Sequence, residues 1–173
     1  VPPAPSPGPS PGPSPPPPTP SGQMGGQHVL DEEKAFFRAM NDLRAQGFRC
    51  PNGQNFNPNP EPLIFDCKLW LTARLHSADM ADHNYFSHTN REGRSPFQRA
   101  DLQNVKASGE NIAAGYKSAA DTLDQWKGSD GHCVNMMNPE VKRMGCARAE
   151  SAAATYVYYW TQLLGTSDTV DGS

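Results

Sequence analysis

Gly109-Glu110-Asn111-Ile112-Ala113-Ala114-Gly115 is the stretch on which the reading of this chain turns. A carboxylate stands between glycines and is followed by small apolar residues, the pattern of an acid held inside a fold. Twenty-two positions before Glu110 lies His88, in Phe86-Ser87-His88, and twenty-two after it lies His132, in Gly131-His132-Cys133. If the fold gathers these three segments, two imidazoles and one carboxylate share a cleft.

Composition divides the chain around that centre. Twelve of the first twenty residues are proline, with Ser, Gly, Thr, Ala and Val making up the rest. Such a segment has almost nothing to bury and cannot join a core. Proline fixes φ near the polyproline II value, so residues 1–20 are expected to form an extended stalk of about 60 Å. Residues 21–28 read as a Gly- and Gln-rich hinge, and 167–173 as a polar tail. Residues 29–166 form the domain, long enough for one well-buried core. The net charge of −3 argues against nucleic acid or an anionic membrane surface as the main partner. No run approaches the length of a transmembrane helix, and no Asn-x-Ser/Thr sequon is present.

Four cysteines lack CxxC spacing, and their even number suits two disulfides in an oxidising compartment. Three connectivities are open. The expectation is the local pairs, Cys50 with Cys67 and Cys133 with Cys146, each closing a loop of roughly 13–17 residues and contributing about 3 kcal/mol.

Helical periodicity starts at Asp31, read as a cap, with Ala35, Phe36, Ala39, Met40 and Leu43 on one face and a stop at Gly47. Asp66 caps a second helix over 67–84. Residues 85–93 are a loop carrying His88. Ser95 and Pro96 open a short helix, another follows over 118–127, and a helical turn over 132–137. The period then changes to two, predicting strands over 143–149 and 155–164. Helices first and strands late give an α+β fold, with helices flanking a small antiparallel sheet. Tyr156–Trp160 is expected to be core strand. His76 and His83, two helical turns apart, are too distant to share a metal and are expected at the surface.

Several motifs occur in a fixed order: His76-Ser77-Ala78-Asp79-Met80, Tyr85-Phe86-Ser87-His88, Gly109-Glu110-Asn111-Ile112-Ala113, Trp126 before Gly131-His132, Asn135-Met136-Met137-Asn138-Pro139, and Tyr159-Trp160-Thr161-Gln162. Together they resemble the CAP superfamily of cysteine-rich secretory, antigen 5 and pathogenesis-related class 1 proteins (SCP domains). That resemblance implies an α-β-α sandwich and a cleft tetrad of two histidines and two glutamates. The matching positions are His88, Glu110 and His132. The second glutamate is replaced by Ser129, beside Asp130, and both are expected to cap the helix holding His132.

The stalk resembles the hydroxyproline-rich glycoproteins of plant and green-algal matrices. This implies hydroxylation or glycosylation at Pro5, Pro7, Pro9, Pro11, Pro13, Pro15, Pro16, Pro17 and Pro18, and at Ser6, Ser10 and Ser14.

His88 and His132 are candidate ligands for a divalent metal such as zinc, although no cofactor is required. Glu110 either orients a histidine or water, or accepts backbone N–H groups in a glycine-bounded turn. No nucleophile elbow is present, and the absent glutamate removes a candidate base. The expected function is therefore non-catalytic: a secreted binding or structural module of a matrix, wall or surface appendage, meeting a protein or glycan partner. A sterol- or lipid-binding protein and a metal-dependent hydrolase are the alternatives.

Overall fold

The computed structural model describes residues 28–168. The stalk, with its expected modification sites, most of the hinge, and the last five residues lie outside them. In chain order the elements are α1 (Asp31–Gln46), β1 (Phe48–Arg49), β2 (Asn55–Phe56), β3 (Ile64–Phe65), α2 (Cys67–His83), α3 (Pro96–Asp101), β4 (Gly109–Ala114), α4 (Ala119–Lys127), α5 (Asp130–Met137), β5 (Arg143–Glu150) and β6 (Tyr158–Gly165).

β3, β5, β6 and β4, in that order, form one sheet, and β1 and β2 form a separate hairpin. β4–β6 and β5–β6 are antiparallel, whereas β3 joins β5 in parallel. The sheet is thus not wholly antiparallel as expected. The exception is a two-residue strand that follows the Pro- and Asn-rich loop.

Alternation along the strands sorts the core into layers. Met144, Cys146, Trp160 and Leu164 face α1, α4 and α5, meeting Phe36, Met40, Trp126 and Met136. Ala147 and Leu163 face α2, meeting Leu69, Trp70 and Ala73. Helices cover both faces of the sheet, and its edge strand β4 lies beside the cleft described below.

The caps follow side-chain chemistry. Asp66 accepts the Lys68 and Leu69 N–H groups at 2.8 and 3.0 Å, and Ser118 accepts that of Asp121 at 3.1 Å. Asp31 is not the cap of α1. Leu30 occupies that position, and the fully buried Glu33 takes its N–H at 2.9 Å. Glu33 also accepts Trp70 Nε1–H and the Arg148 N–H, each at 2.9 Å. One carboxylate therefore ties α1 to α2 and β5, a cross-fold role that outweighs the local cap.

The disulfide expectation is overturned. Cys50 pairs with Cys133, 83 positions away, with the Cα atoms 5.8 Å apart, while Cys67 and Cys146 are free thiols. Cys146 sits in the α1-side core, whereas Cys67 is exposed at the start of α2, on the opposite side of the sheet. Cys50, Cys133 and Cys146 share the α1-side core, so the fold parts Cys67 from Cys50, and Cys133 bonds Cys50 rather than Cys146. Burial pushes the Cys146 thiol pKa well up, keeping it protonated. The bridge joins the segment after β1 to α5 and closes a long loop. Reducing it, or introducing Cys50→Ser, is expected to cost about 2–5 kcal/mol. A melting midpoint unchanged by reductant would refute this.

Candidate functional site

β4 is where the quoted stretch acquires its meaning. It is a strand rather than a glycine-bounded turn, and consecutive strand residues point to opposite faces. Glu110 points to one side, where its Oε1 accepts His88 Nδ1–H at 2.8 Å and its Oε2 accepts Arg99 Nη2–H at 2.6 Å. Arg99, on α3, also donates to the His88 carbonyl at 2.9 Å. Asn111 points to the other side. Its Nδ2 donates to the His132 carbonyl at 3.2 Å and to Gln162 Oε1 at 3.0 Å, and its Oδ1 accepts from Asn135 Nδ2 at 3.0 Å. Two adjacent residues thus anchor both histidine-bearing segments, one on each side of the sheet edge.

His132 is oriented from two further directions. Its Nδ1 bonds Ser129 Oγ at 2.8 Å, and its ring stacks on Trp126 with centroids 6.1 Å apart. Trp126 donates its Nε1–H to the Ile112 carbonyl at 3.0 Å, bracing the ring against β4. Ser129 occupies the N-cap position of α5, but its hydroxyl makes no cap bond. Asp130 opens the same helix and does not line the cleft. Burial, then the neighbouring His88, lowers the His132 pKa and favours the neutral ring.

Between these walls lies a cleft of about 530 Å³, within the usual range for small-ligand sites. Ile112, Ala113 and Ala114 line its β4 side, and Ser87, His88, Gln125 and His132 supply polar groups. Phe86, Tyr116 and Tyr156 add three partly exposed rings. Tyr156 is not core strand: β6 begins two residues later, and the ring stands on the turn before it.

The structure brings together His88, Glu110, His132 and Ser129, and it adds Arg99, Asn111 and Gln125, to which sequence reasoning gave no role. Arg99 carries no local signal, since an arginine in a short helix usually faces solvent. Asn111 lies within the quoted motif, but reading it as a wall anchor requires knowing that the stretch is a strand.

The residues present do not make a three-ligand metal centre. Among the described residues, no three His, Cys, Asp or Glu side chains converge as a ligand set. Glu110 has both oxygens engaged, leaving two imidazoles as donors.

His76 corrects another expectation: it is buried, not at the surface. It contacts the Ser87 carbonyl through Nε2 at 2.8 Å. The carbonyl can only accept, so Nε2 carries the proton. Nδ1 is buried without a hydrogen-bond partner among the described residues. Burial and then Arg99 lower the His76 pKa. The folded ring therefore resists protonation more than the unfolded one. Its contribution to stability is complete above the unfolded pKa, near 6.5, and is lost as pH falls toward the folded value. Denaturant titrations are expected to show stability declining below about pH 6.5, with a shallower decline for His76→Gln. An identical pH slope in that variant would contradict the assignment.

A helix-flanked mixed sheet with two histidines beside its edge strand defines an α-β-α sandwich. Residues 37–164 match the Cysteine-rich secretory protein family, CAP, and the chain belongs to that family. It is 34% identical over 113 residues to YkwD of Bacillus subtilis, spanning 64% of this chain and 42% of that protein. It is 33% identical over 72 residues to the B. subtilis membrane protein YlbC, spanning 40% and 21%. The chain thus covers less than half the length of either relative. An extracellular SCP-domain protein from Bacillus anthracis superposes with a TM-score of 0.60 at 25% identity, covering 77% of this chain and 40% of that one. An outer surface protein from Borrelia burgdorferi shares the fold with a TM-score of 0.62 at 20% identity, covering 80% and 96%.

Proposed function

We propose that this chain is an extracellular CAP-domain module that binds a matrix, wall or surface component in the His88–His132 cleft without transforming it. The proline-rich segment 1–20 then serves as an O-glycosylated spacer. The observation that carries this reading is the state of Glu110. Both its oxygens are engaged, by Arg99 and His88, and the described lining of the cleft contains no carboxylate. Glu110 itself is therefore not free to take a proton from a bound molecule as a general base; it positions the His88 ring instead. Disulfide formation belongs to oxidising compartments, consistent with the Cys50–Cys133 bridge. The B. anthracis and Borrelia neighbours are described as extracellular and outer-surface proteins. Among the described residues, no helix is long and apolar enough to cross a membrane.

The test incubates the full chain with an insoluble wall or matrix preparation. The expected result is saturable retention, weakened in His132→Ala, with no soluble fragments released. Fragment release by the wild type that His132→Ala abolishes would replace this reading with a catalytic one. Absence of retention would remove it. Glycopeptide mass spectrometry of the native protein tests the spacer, with hydroxyl and pentose or hexose additions expected within 1–20.

A second reading, a divalent cation held by His88 and His132 with water completing its shell, is favoured by one observation. Each ring commits Nδ1 to a protein partner, leaving Nε2 as the nitrogen available for a ligand. Zinc titration should then shift both rings' NMR signals together, and zinc excess with no shift removes the reading.

A further inference from the structure

We propose that the cleft binds a neutral oligosaccharide, stacking its sugar rings on Phe86, Tyr116 and Tyr156 and hydrogen-bonding its hydroxyls to Gln125, His88 and His132. The proposal deepens, and rests on, the reading of this cleft as a ligand site.

The first ground is the aromatic rim. Phe86, Tyr116 and Tyr156 are 46%, 37% and 51% exposed, yet all three line one cleft. Exposed rings are costly unless used, and these are braced. Phe86 and Tyr156 meet edge to face at 6.3 Å, and Tyr156 leans on the buried Tyr159 at 6.1 Å. The Tyr116 carbonyl accepts Trp160 Nε1–H at 2.8 Å, and Ser87, next to Phe86, is held by His76. Rigid rings lose little entropy on binding.

The second ground is backbone strain beside the cleft. Val157 has φ of +65°, a left-handed conformation that a β-branched residue rarely adopts. The turn is locked by Ser151 N–H to the Val157 carbonyl at 2.9 Å and Tyr158 N–H to the Tyr156 carbonyl at 2.7 Å. Strain of this kind gathers at ligand sites, and here it sets the turn that presents Tyr156.

The third ground is polarity without charge. Gln125 lines the cleft, and its buried Oε1 has no hydrogen-bond partner among the described residues, so turning the amide toward the cleft offers a donor and an acceptor to a sugar hydroxyl. Glu110 is neutralised by Arg99. A neutral ligand that both donates and accepts hydrogen bonds, with apolar C–H faces, matches this lining. A lipid would leave Gln125 and the imidazoles facing hydrocarbon without partners. An extended peptide would pair with the edge of β4, but Trp126 Nε1–H already occupies the Ile112 carbonyl.

The experiment screens the full chain against neutral gluco-, xylo-, arabino-, galacto- and chito-oligosaccharides, then titrates the tightest by calorimetry. Tyr156→Ala and Phe86→Ala should each weaken binding about tenfold, the scale of one lost aromatic contact. Tyr156→Phe should stay within about twofold, because it keeps the stacking face. Both rings are half exposed, so the variants should fold, which circular dichroism checks. No binding by any neutral saccharide, binding confined to acidic saccharides or peptides, or affinity untouched by both alanine variants would overturn the proposal. Matrix retention without saccharide binding overturns this inference and leaves the module reading standing.

Discussion

Glu110→Ala is expected to destabilise the domain by about 3–5 kcal/mol, the cost of stranding a buried charge by removing its partner. Glu110 and Arg99 side chains are only 2% and 7% exposed, so water cannot re-solvate the arginine without the fold opening. The same change frees His88 Nδ1 and unties the loop from β4, so the consequences spread beyond one contact. The melting midpoint should fall by about 10 °C or more. Amide exchange should accelerate at Thr89 and Asn90, while amides of β5 keep their order of protection. Glu110→Gln keeps the shape and one acceptor, and should cost less. A midpoint within about 2 °C of wild type would mean that Arg99 finds another partner and that Glu110 is not the anchor of this wall.

Gly145→Ala should be at least as damaging, for a reason unrelated to charge. A Cβ at this position of β5 would lie 2.0 Å from Trp70 N, 2.3 Å from Leu69 C and 2.4 Å from Trp70 Cα. All three are backbone atoms of the first turns of α2 and cannot rotate away. The helix would have to lift from the sheet, pulling Trp70 Nε1 from Glu33 and opening the Leu69–Ala147–Leu163 layer. Overpacking costs typically about 1–3 kcal/mol when side chains can yield; here backbone must yield, so about 3 kcal/mol or more is expected, with poor soluble yield. Gly109→Ala is the control, since its nearest new contact is a Leu164 methyl at 4.0 Å. Equal midpoints for the two variants would show that α2 can shift without loss, and that β5 does not require glycine there.

Much of the scaffold was legible in the chain. The Asp66 cap and the period-3.6 stripe of α2, the Ser95-Pro96 start of α3, and the switch to period two before β5 are local signals. Each depends on neighbours within a turn or a pleat. Residues 109–115 were harder. A strand whose buried positions include Glu110 and Asn111 shows no hydrophobic alternation, because those groups are satisfied by an arginine and two amides far away in sequence.

By itself, the sequence determined the helices, the late strands, the family motifs and the histidine–glutamate trio, since these are written in short spacings. Tertiary structure alone decided that Cys50 meets Cys133, that Arg99 seals Glu110, that His76 is buried and that Tyr156 faces a cleft. Those outcomes depend on which faces of distant elements meet across the sheet, and that choice is made by packing of the whole core rather than by any local pattern.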